Sequence, residues 1–373
     1  IIAGTGAVGT ADDEGYLYGQ GVAPGSKLLI QQAIPDQLPP SEGWERLTID
    51  TISNSAFVSN NSWYLGSRYG VGYTALCRLF DKFTRDGDSG TSGNQPIAFV
   101  FSSGNSGPGM STVFDPKEAK NIITVGASEN YRPDRPYITY CGGTANIDGV
   151  ANFSSRGPCI DGRIIPTLVA PGTNIASAAS YYAPSYKYND PANPCKSLLD
   201  GNYAWMSGTS QAAPMVSGAI ALIGQWWRSV NNNINPSPAM CKAILVNSAD
   251  DLGGGPDGRG GQLAHIPNSD QGWGRLNIAA AMDTANCFFE DQKYVFYSSG
   301  QSRSYRVRII DPTKPLKVTL VWTDAPGTPG AYAWANDLDL SVTGTYGTYV
   351  GNNFQNGWST IAPGRDSKNN VEC

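Results

Sequence analysis

Short apolar runs, each closed by turn residues, recur along the first three-quarters of the chain and constrain its fold most. Residues 26–34 (SKLLIQQAI), 97–104 (IAFVFSSG) and 121–128 (NIITVGAS) have the length and composition of strands buried on both faces of a parallel sheet. Helices are predicted over residues 72–84 (GYTALCRLFDKFT) and 237–249 (SPAMCKAILVNSA), the second starting at Ser-Pro. This alternation predicts an α/β fold with a doubly wound, mostly parallel sheet flanked by helices.

The pattern changes after Cys287, so we divide the chain into residues 1–288, the α/β domain, and residues 289–373. The second part is β-rich, is interrupted by Gly, Pro, Asp and Asn, and has no helical period. It predicts an antiparallel β-sandwich, which is partial because so few strands are present. The predicted strands are residues 292–300 (QKYVFYSSG), 304–311 (SYRVRIID), 316–324 (LKVTLVWTD) and 336–344 (NDLDLSVTG).

The composition argues against two classes of protein. The net charge is −5 and no Lys/Arg stripe occurs, which argues against nucleic-acid binding. The longest apolar run, MVSGAIALIGQWW, has 13 residues and is too short to span a bilayer. With 44 glycines and only 15% charged residues, the chain fits a compact protein with many tight turns.

The chain has seven cysteines, at positions 77, 141, 159, 195, 241, 287 and 373. They are scattered and form no CxxC pair, which favours disulfides in a secreted protein over a zinc site. The odd number leaves one thiol free or paired outside the chain.

The segment MSGTSQAAPMVSG, residues 206–218, places Ser210 between a glycine turn and an apolar helix. Taken alone, this segment favours Ser210 as a helix N-cap, the commonest role of serine there. The other interpretation is a nucleophile at the positive end of a helix dipole, where negative charge on a substrate oxygen is stabilised.

Asn105 follows the predicted strand in IAFVFSSGNSGPG, residues 97–109. Ligands of open α/β sheets bind beyond the carboxyl ends of strands, and an amide N–H there can donate to an oxyanion. By itself, GNSGP is more typical of a simple turn.

Several motifs, in order along the chain, resemble those of the subtilisin-like serine proteases. The segment GTSQAAP resembles the family's nucleophile signature, and FSSGNSG resembles its oxyanion-asparagine segment. Two further motifs, DQGWGR and TLVWTDAP, resemble a branch with a C-terminal β-sandwich, such as the oxidatively stable alkaline proteases. The other matching segments are GQGVAPGSKLLI (19–30), ANFSSRGP (151–158) and VAPGTNI (169–175).

The resemblance implies a serine endopeptidase acting by acyl transfer on polypeptide substrates. Ser210 would be the nucleophile, and Asn105 would form the oxyanion hole together with the backbone N–H of Ser210. Segments 61–66 and 102–104 would form the walls of the pocket for the residue before the scissile bond. Because neither wall contains an acid, we expect a broad or apolar preference there. The implied substrate-binding residues are Asn61, Ser62, Trp63, Ser102, Ser103, Gly104 and Thr209.

The family's catalytic aspartate and its histidine motif have no counterpart in these 373 residues. The opening IIAGTGAVGT resembles the family helix just after that histidine. We therefore expect both residues on a missing stretch or a second chain, and no hydrolysis by this chain alone. The alternative is a catalytically inactive, extracellular structural or binding protein with the subtilase fold. His265, the one histidine, lies in a polar loop that nothing in the sequence places beside Ser210.

Asp337 and Asp339 alternate with leucines, which puts both carboxylates on one side of a strand. With Asn336 or Asp324 they predict a structural Ca²⁺ site, an expectation that the resemblance strengthens. The alternative is a solvated sheet face. No cofactor is expected for catalysis, and the cysteines and the resemblance favour a secreted or lysosome-like location.

Overall fold

The computed structural model describes residues 1–32, 42–132, 146–180, 196–199 and 201–373. Within these ranges the helices are Glu42–Ser53 (α1), Ala75–Arg85 (α2), Thr209–Val230 (α3), Pro238–Ser248 (α4) and Ile278–Met282 (α5). The strands are Val58–Asn61 (β1), Leu65–Tyr69 (β2), Ala98–Ser102 (β3), Phe114–Asp115 (β4), Ile123–Ser128 (β5), Leu168–Pro171 (β6), Ile175–Ala178 (β7), Lys196–Leu198 (β8), Tyr203–Met206 (β9), Leu320–Val321 (β10), Ser341–Gly344 (β11), Gly347–Val350 (β12), Phe354–Gln355 (β13), Trp358–Ser359 (β14) and Val371–Glu372 (β15).

The central sheet is parallel, with the strand order β1-β3-β5-β6. Every residue of β3 and β5 is buried, as a parallel sheet covered on both faces requires. Alternate residues of β3 point to opposite faces. Ala98 and Val100 pack in one core with α3, whereas Phe99 and Phe101 pack in another with α2. The predicted α/β fold, with helices on both faces of a parallel sheet, is therefore confirmed.

Both helices predicted from the sequence are present, as α2 and α4. Local capping explains where they begin. Thr74 Oγ1 accepts a hydrogen bond from the backbone N–H of Cys77 at 3.1 Å, which caps α2. Ser237 Oγ accepts from the backbone N–H of Met240 at 3.0 Å, and Pro238 occupies the first turn of α4. Residues close in the sequence, Thr74 for α2 and Ser237 with Pro238 for α4, thus determine where the two helices begin.

The first predicted strand does not form. Residues 26–32 have no ladder partner among the described residues, and Leu28, Leu29 and Ile30 are exposed to solvent. Apolar composition favours a strand only where a neighbouring strand accepts its hydrogen bonds, and β1 and β6 are the edges of the described sheet. Residues 33–34 of that prediction lie outside the described part of the chain.

The opening residues, expected to lie within a helix, form turns and an isolated bridge between Thr5 and Gln20. Gly4 packs so closely on Gly19 that an added Cβ would lie 2.0 Å from its carbonyl oxygen. A short glycine-rich segment gains little as an isolated helix, since nucleation is costly. That expectation was wrong.

Beyond residue 288 the paired strands are antiparallel, as predicted. They form two-stranded ladders, β10–β15, β11–β12 and β13–β14. Segments 292–300 and 304–311, also predicted as strands, belong to no ladder of the described residues, and Tyr297 is 85% exposed. Two-stranded ladders offer little buried face for these apolar side chains to cover. The domain boundary after residue 288 stays a prediction.

A buried ionic cluster joins the C-terminal segment to the start of β5. Lys120 Nζ lies 3.2 Å from Asp81 Oδ2 and 3.5 Å from Asp324 Oδ2, and none of the three side chains is more than 1% exposed. Asn121 Nδ2 donates to the carbonyl oxygen of Asp324 at 2.8 Å, and Asp324 N donates back to Asn121 Oδ1 at 3.0 Å. These contacts fix residues around Asp324 against the α/β sheet.

The expected disulfides are not formed among the described cysteines: Cys77, Cys159, Cys241, Cys287 and Cys373 all carry free thiols. Cys141 and Cys195 lie outside the described residues. Cys77, Cys159 and Cys241 are buried, and burial raises the pKa of each thiol. Disulfides elsewhere and a secreted location remain predictions. Among the described helices, none has both the length and the apolarity needed to cross a bilayer.

Candidate active site

The candidate site lies where β3 ends and α3 begins. The chain leaves β3 through Ser103, whose backbone N–H donates to the carbonyl oxygen of Val125 at 2.8 Å, and so continues the sheet by one bond. It reaches α3 through a turn at Gly208, whose N–H donates to the carbonyl oxygen of Gly172 at 2.8 Å. Both segments therefore meet at the carboxyl edge of the parallel sheet, where ligands of such folds bind.

Gly208 is required by close packing at this turn. An added Cβ would lie 2.8 Å from Gln211 Oε1 and 3.3 Å from Asn105 Nδ2. Its φ of +156° is also one that side chains rarely adopt. A side chain at this position would have to displace the Gln211 amide and crowd the Asn105 amide, so the glycine leaves room for Asn105 to lie against the turn.

Ser210 is the second residue of α3 rather than its N-cap. Gly208 is the capping residue, and it has no side chain with which to cap the helix. The Ser210 hydroxyl makes no hydrogen bond to any described residue, and the residue is partly exposed. Its carbonyl oxygen accepts a hydrogen bond from Ser62 Oγ at 3.2 Å. The N-cap interpretation is therefore wrong, and the hydroxyl is free at the helix start.

Asn105 is oriented by the residue next to Ser210. Its side-chain oxygen Oδ1 accepts hydrogen bonds from Thr209 N at 2.9 Å and from Thr209 Oγ1 at 2.8 Å. The Thr209 hydroxyl in turn accepts from the backbone N–H of Gly104 at 3.2 Å. With its oxygen satisfied, the amide of exposed Asn105 presents Nδ2 as its donor.

Ser155 is a positioning residue to which sequence reasoning gave no role. Its Oγ accepts from the backbone N–H of Ser106 at 3.0 Å, and its N–H donates to the carbonyl oxygen of Gly104 at 2.9 Å. Ser155 is fully buried, and it holds the loop on both sides of Asn105. The motif ANFSSRGP contained this residue, but its contact with the loop is long-range and could not be read from the motif.

The structure places the seven predicted substrate-binding residues in three kinds of position. Ser62 and Gly104 lie beside the helix start through the contacts described above, whereas Thr209 is buried and acts on Asn105. Asn61 and Trp63 contact each other, Trp63 Nε1 donating to Asn61 Oδ1 at 2.9 Å, and Trp63 stacks on Trp44. Ser102 and Ser103 are almost fully buried. The part of all seven residues in substrate binding stays a prediction.

His265 lies in a different place. Its Nδ1 is 2.6 Å from Asp251 Oδ2, and 48% of its side chain is exposed. It lines a cavity of about 290 Å³ with Pro267, Phe354 and Asn356. No contact joins His265 to Ser210 or Asn105 within the described residues, in agreement with the expectation that it is not their proton acceptor.

The predicted calcium ligands do not form a ligand set in the described structure. Asp339 is paired with Arg365, and both oxygens of Asp324 accept backbone N–H bonds from residues 325, 335 and 336. Burial, together with Asp339 and Asp366, raises the pKa of Asp337. No three His, Cys, Asp or Glu side chains within the described ranges are placed to hold a metal ion. The calcium site remains a prediction.

A family model described as the subtilase family matches residues 1–274, about three-quarters of the chain. The chain is a subtilase. The match includes every residue of the Ser210–Asn105 site. This confirms the resemblance drawn from the motifs and identifies a serine protease fold.

Curated subtilases include several relatives of similar identity. Pyrolysin from Pyrococcus furiosus is 32% identical over 198 residues, half of this chain and 12% of pyrolysin. Serine protease AprX from Bacillus subtilis is 35% identical over 154 residues, which is 41% of this chain and 30% of AprX. Tripeptidyl-peptidase 2 from Drosophila melanogaster is 30% identical over 187 residues, covering 50% of this chain and 11% of that protein. The chain thus matches less than a third of each relative's length.

Two solved structures align with about two-thirds of this chain. The structure of fervidolysin from Fervidobacterium pennivorans aligns with a TM-score of 0.39 and 24% identity, covering 64% of this subtilase and 28% of that chain. A structure of tripeptidyl peptidase 2 aligns with a TM-score of 0.44 and 22% identity, covering 70% of this subtilase and 17% of that chain.

Proposed function

We propose that the complete protein is a serine endopeptidase with Ser210 as nucleophile and Asn105 as oxyanion donor. One observation supports this most directly: Thr209 fixes the Asn105 side chain beside Ser210 by two hydrogen bonds. The two bonds tie the end of β3 to the start of α3 and leave Nδ2 as the donor of the Asn105 amide. A donor fixed in this way suits a site that must stabilise a developing negative charge without reorganising.

In the proposed reaction the Ser210 oxygen attacks the carbonyl carbon of the scissile peptide bond, and a histidine accepts its proton. The carbonyl oxygen becomes an oxyanion that accepts from Asn105 Nδ2 and from the backbone N–H of Ser210, at the positive end of α3. The same histidine then protonates the leaving amine, and water hydrolyses the acyl-enzyme. No contact joins His265, which is paired with Asp251, to Ser210 or Asn105 within the described residues. We therefore propose that the catalytic histidine and aspartate come from outside these 373 residues.

Hydrolysis of unfolded casein by the full-length protein tests this proposal. We expect Ser210→Ala to abolish hydrolysis, with kcat falling by on the order of 10⁶-fold. Ser229→Ala is the matched control, because Ser229 is an exposed serine of the same helix that bonds only to Trp226 O. A well-folded protein that leaves casein intact would favour the inactive scaffold instead.

A further inference from the structure

Phe114 contacts both wall segments, 61–66 and 102–104, and we call the space between these segments the S1 gap. A Cβ added to Gly104 would lie 3.2 Å from Phe114 Cδ2, so the phenyl ring rests directly on the Gly104 backbone. Phe114 itself is only 8% exposed. One wall of the gap is therefore covered by this ring.

Tyr64 closes the gap from the other wall. The ring centroids of Tyr64 and Phe114 are 4.4 Å apart, with the planes tilted by 32°. This is the short end of aromatic contact distances, so nothing else fits between the two rings. Together they extend from the Gly104 backbone to the segment that contains Tyr64, and they occupy the depth that a large substrate side chain would need.

The phenyl ring is held in place by its own strand and by a lysine. Strand β4 pairs with β2, with Phe114 opposite Tyr69 and Asp115 opposite Leu65. Lys117 Nζ lies 6.0 Å from the Phe114 centroid and 5.4 Å from the Tyr64 centroid. Lys117 is 1% exposed and forms no ion pair with a described residue, and burial lowers its pKa to about 7. The two ring faces are therefore the groups that favour its ammonium form. Moving the rings apart would remove that stabilisation.

We infer that Phe114 limits the residue before the scissile bond to glycine, alanine or serine. This inference rests on the proposed endopeptidase function and narrows the broad or apolar preference expected from the acid-free walls. The rings leave the walls apolar but shallow, so a phenylalanine or leucine side chain would have to displace Phe114 from its β4 position. Phe114 is thus a specificity-determining residue, with Tyr64 as its partner.

Fluorogenic peptides that differ only in the residue before the scissile bond test the inference on the full-length protein. We expect kcat/KM for alanine to exceed that for phenylalanine by about 100-fold or more, since a pocket discriminates about 10–200-fold per methylene. Phe114→Ala should lower this ratio at least tenfold by improving the phenylalanine substrate. Tyr64→Ala, at a half-exposed position that is safer for folding, should act in the same direction. Tyr346→Ala is the matched control and should leave the ratio unchanged, because Tyr346 is 87% exposed and makes no ring contact with Phe114 or Tyr64.

Equal cleavage of alanine and phenylalanine substrates by the wild-type protein would overturn the inference. A preference for glutamate would also overturn it and would assign the pocket floor to Lys117. Both results come from an active enzyme, so they differ from failure of the proposed function, in which a folded protein cleaves none of the peptides.

Discussion

Thr209 donates two hydrogen bonds to the side-chain oxygen of Asn105, from its backbone nitrogen at 2.9 Å and from its hydroxyl at 2.8 Å. The two residues are 104 positions apart, and the contact connects the end of β3 to the start of α3. It fixes which end of the amide is available, so Nδ2 is the atom that can act on a substrate. One threonine thereby positions the side chain of Asn105, the proposed oxyanion donor, at the start of the helix that carries Ser210, the proposed nucleophile.

Replacing Asn105 by alanine should lower kcat by about 10²–10³-fold, the usual cost of one oxyanion donor, with little change in KM. Asn105→Asp should be at least as damaging, because its carboxylate places a negative charge beside the oxyanion. Steady-state kinetics with a fluorogenic peptide measures both effects. Asn105→Ala also leaves the buried N–H and hydroxyl of Thr209 without their acceptor, so the free energy of unfolding should fall by about 1–3 kcal/mol. An unchanged kcat would remove Asn105 from the mechanism.

Lys120→Met should destabilise the protein by about 3–5 kcal/mol, because it leaves Asp81 and Asp324 buried without their cation. The free energy of unfolding from urea titration is the measurement. Asp148→Asn is the control. Asp148 is 58% exposed in its ion pair with Arg275, so we expect a change below about 1 kcal/mol. Equal effects of the two variants would show that the buried cluster does not hold the C-terminal segment.

Glu372 should make stability depend on pH. Burial, with Asp366, Asp339 and Asp337 nearby, raises its pKa from 4.5 to about 7. The folded state therefore binds this proton more tightly than the unfolded state does. The resulting stabilisation is complete below about pH 4.5 and is lost as the pH rises through about 7.

Glu372→Gln should flatten the unfolding free energy between pH 4.5 and 7, whereas the exposed Glu14→Gln should leave the profile unchanged. Urea titrations at several pH values compare the three proteins. The same slope in Glu372→Gln and the wild type would contradict a protonated, buried Glu372.

Iodoacetamide should alkylate Cys287 in the native protein and leave Cys77, Cys159 and Cys241 unmodified. The pKa of all four thiols is raised, but Cys287 is exposed to the reagent, whereas the other three are buried out of its reach. Peptide mass spectrometry before and after denaturation gives the result. Failure of the three buried cysteines to react even after denaturation would mean that they are in disulfides.

Features set by neighbouring residues were predictable from the sequence. The starts of α2 and α4 follow from Thr74 and Ser237, whose side chains cap helices within three residues of themselves. Strands β3 and β5 follow from apolar runs of the right length. The motifs considered together also predicted that Ser210 and Asn105 belong to one site, and the structure places Asn105 against Thr209, the neighbour of Ser210.

Features set by distant contacts were not predictable. Residues 26–32 have the composition of a strand, but composition does not show whether a partner strand is present. The N-cap interpretation of Ser210 failed because the turn passes through Gly208, whose geometry depends on Gly172 and Asn105. Phe114 was missed because only the β2–β4 pairing brings its ring to Gly104 and Tyr64.

Labelling with a fluorophosphonate tests the central claim most directly, since the probe reacts only with a serine that a nearby base activates. The full-length protein, purified from its natural source, would be labelled and its peptides sequenced by mass spectrometry. Our account predicts one modified residue, Ser210, and no label after heat denaturation. A native, folded protein that stays unlabelled, or that is labelled at another serine, would contradict it.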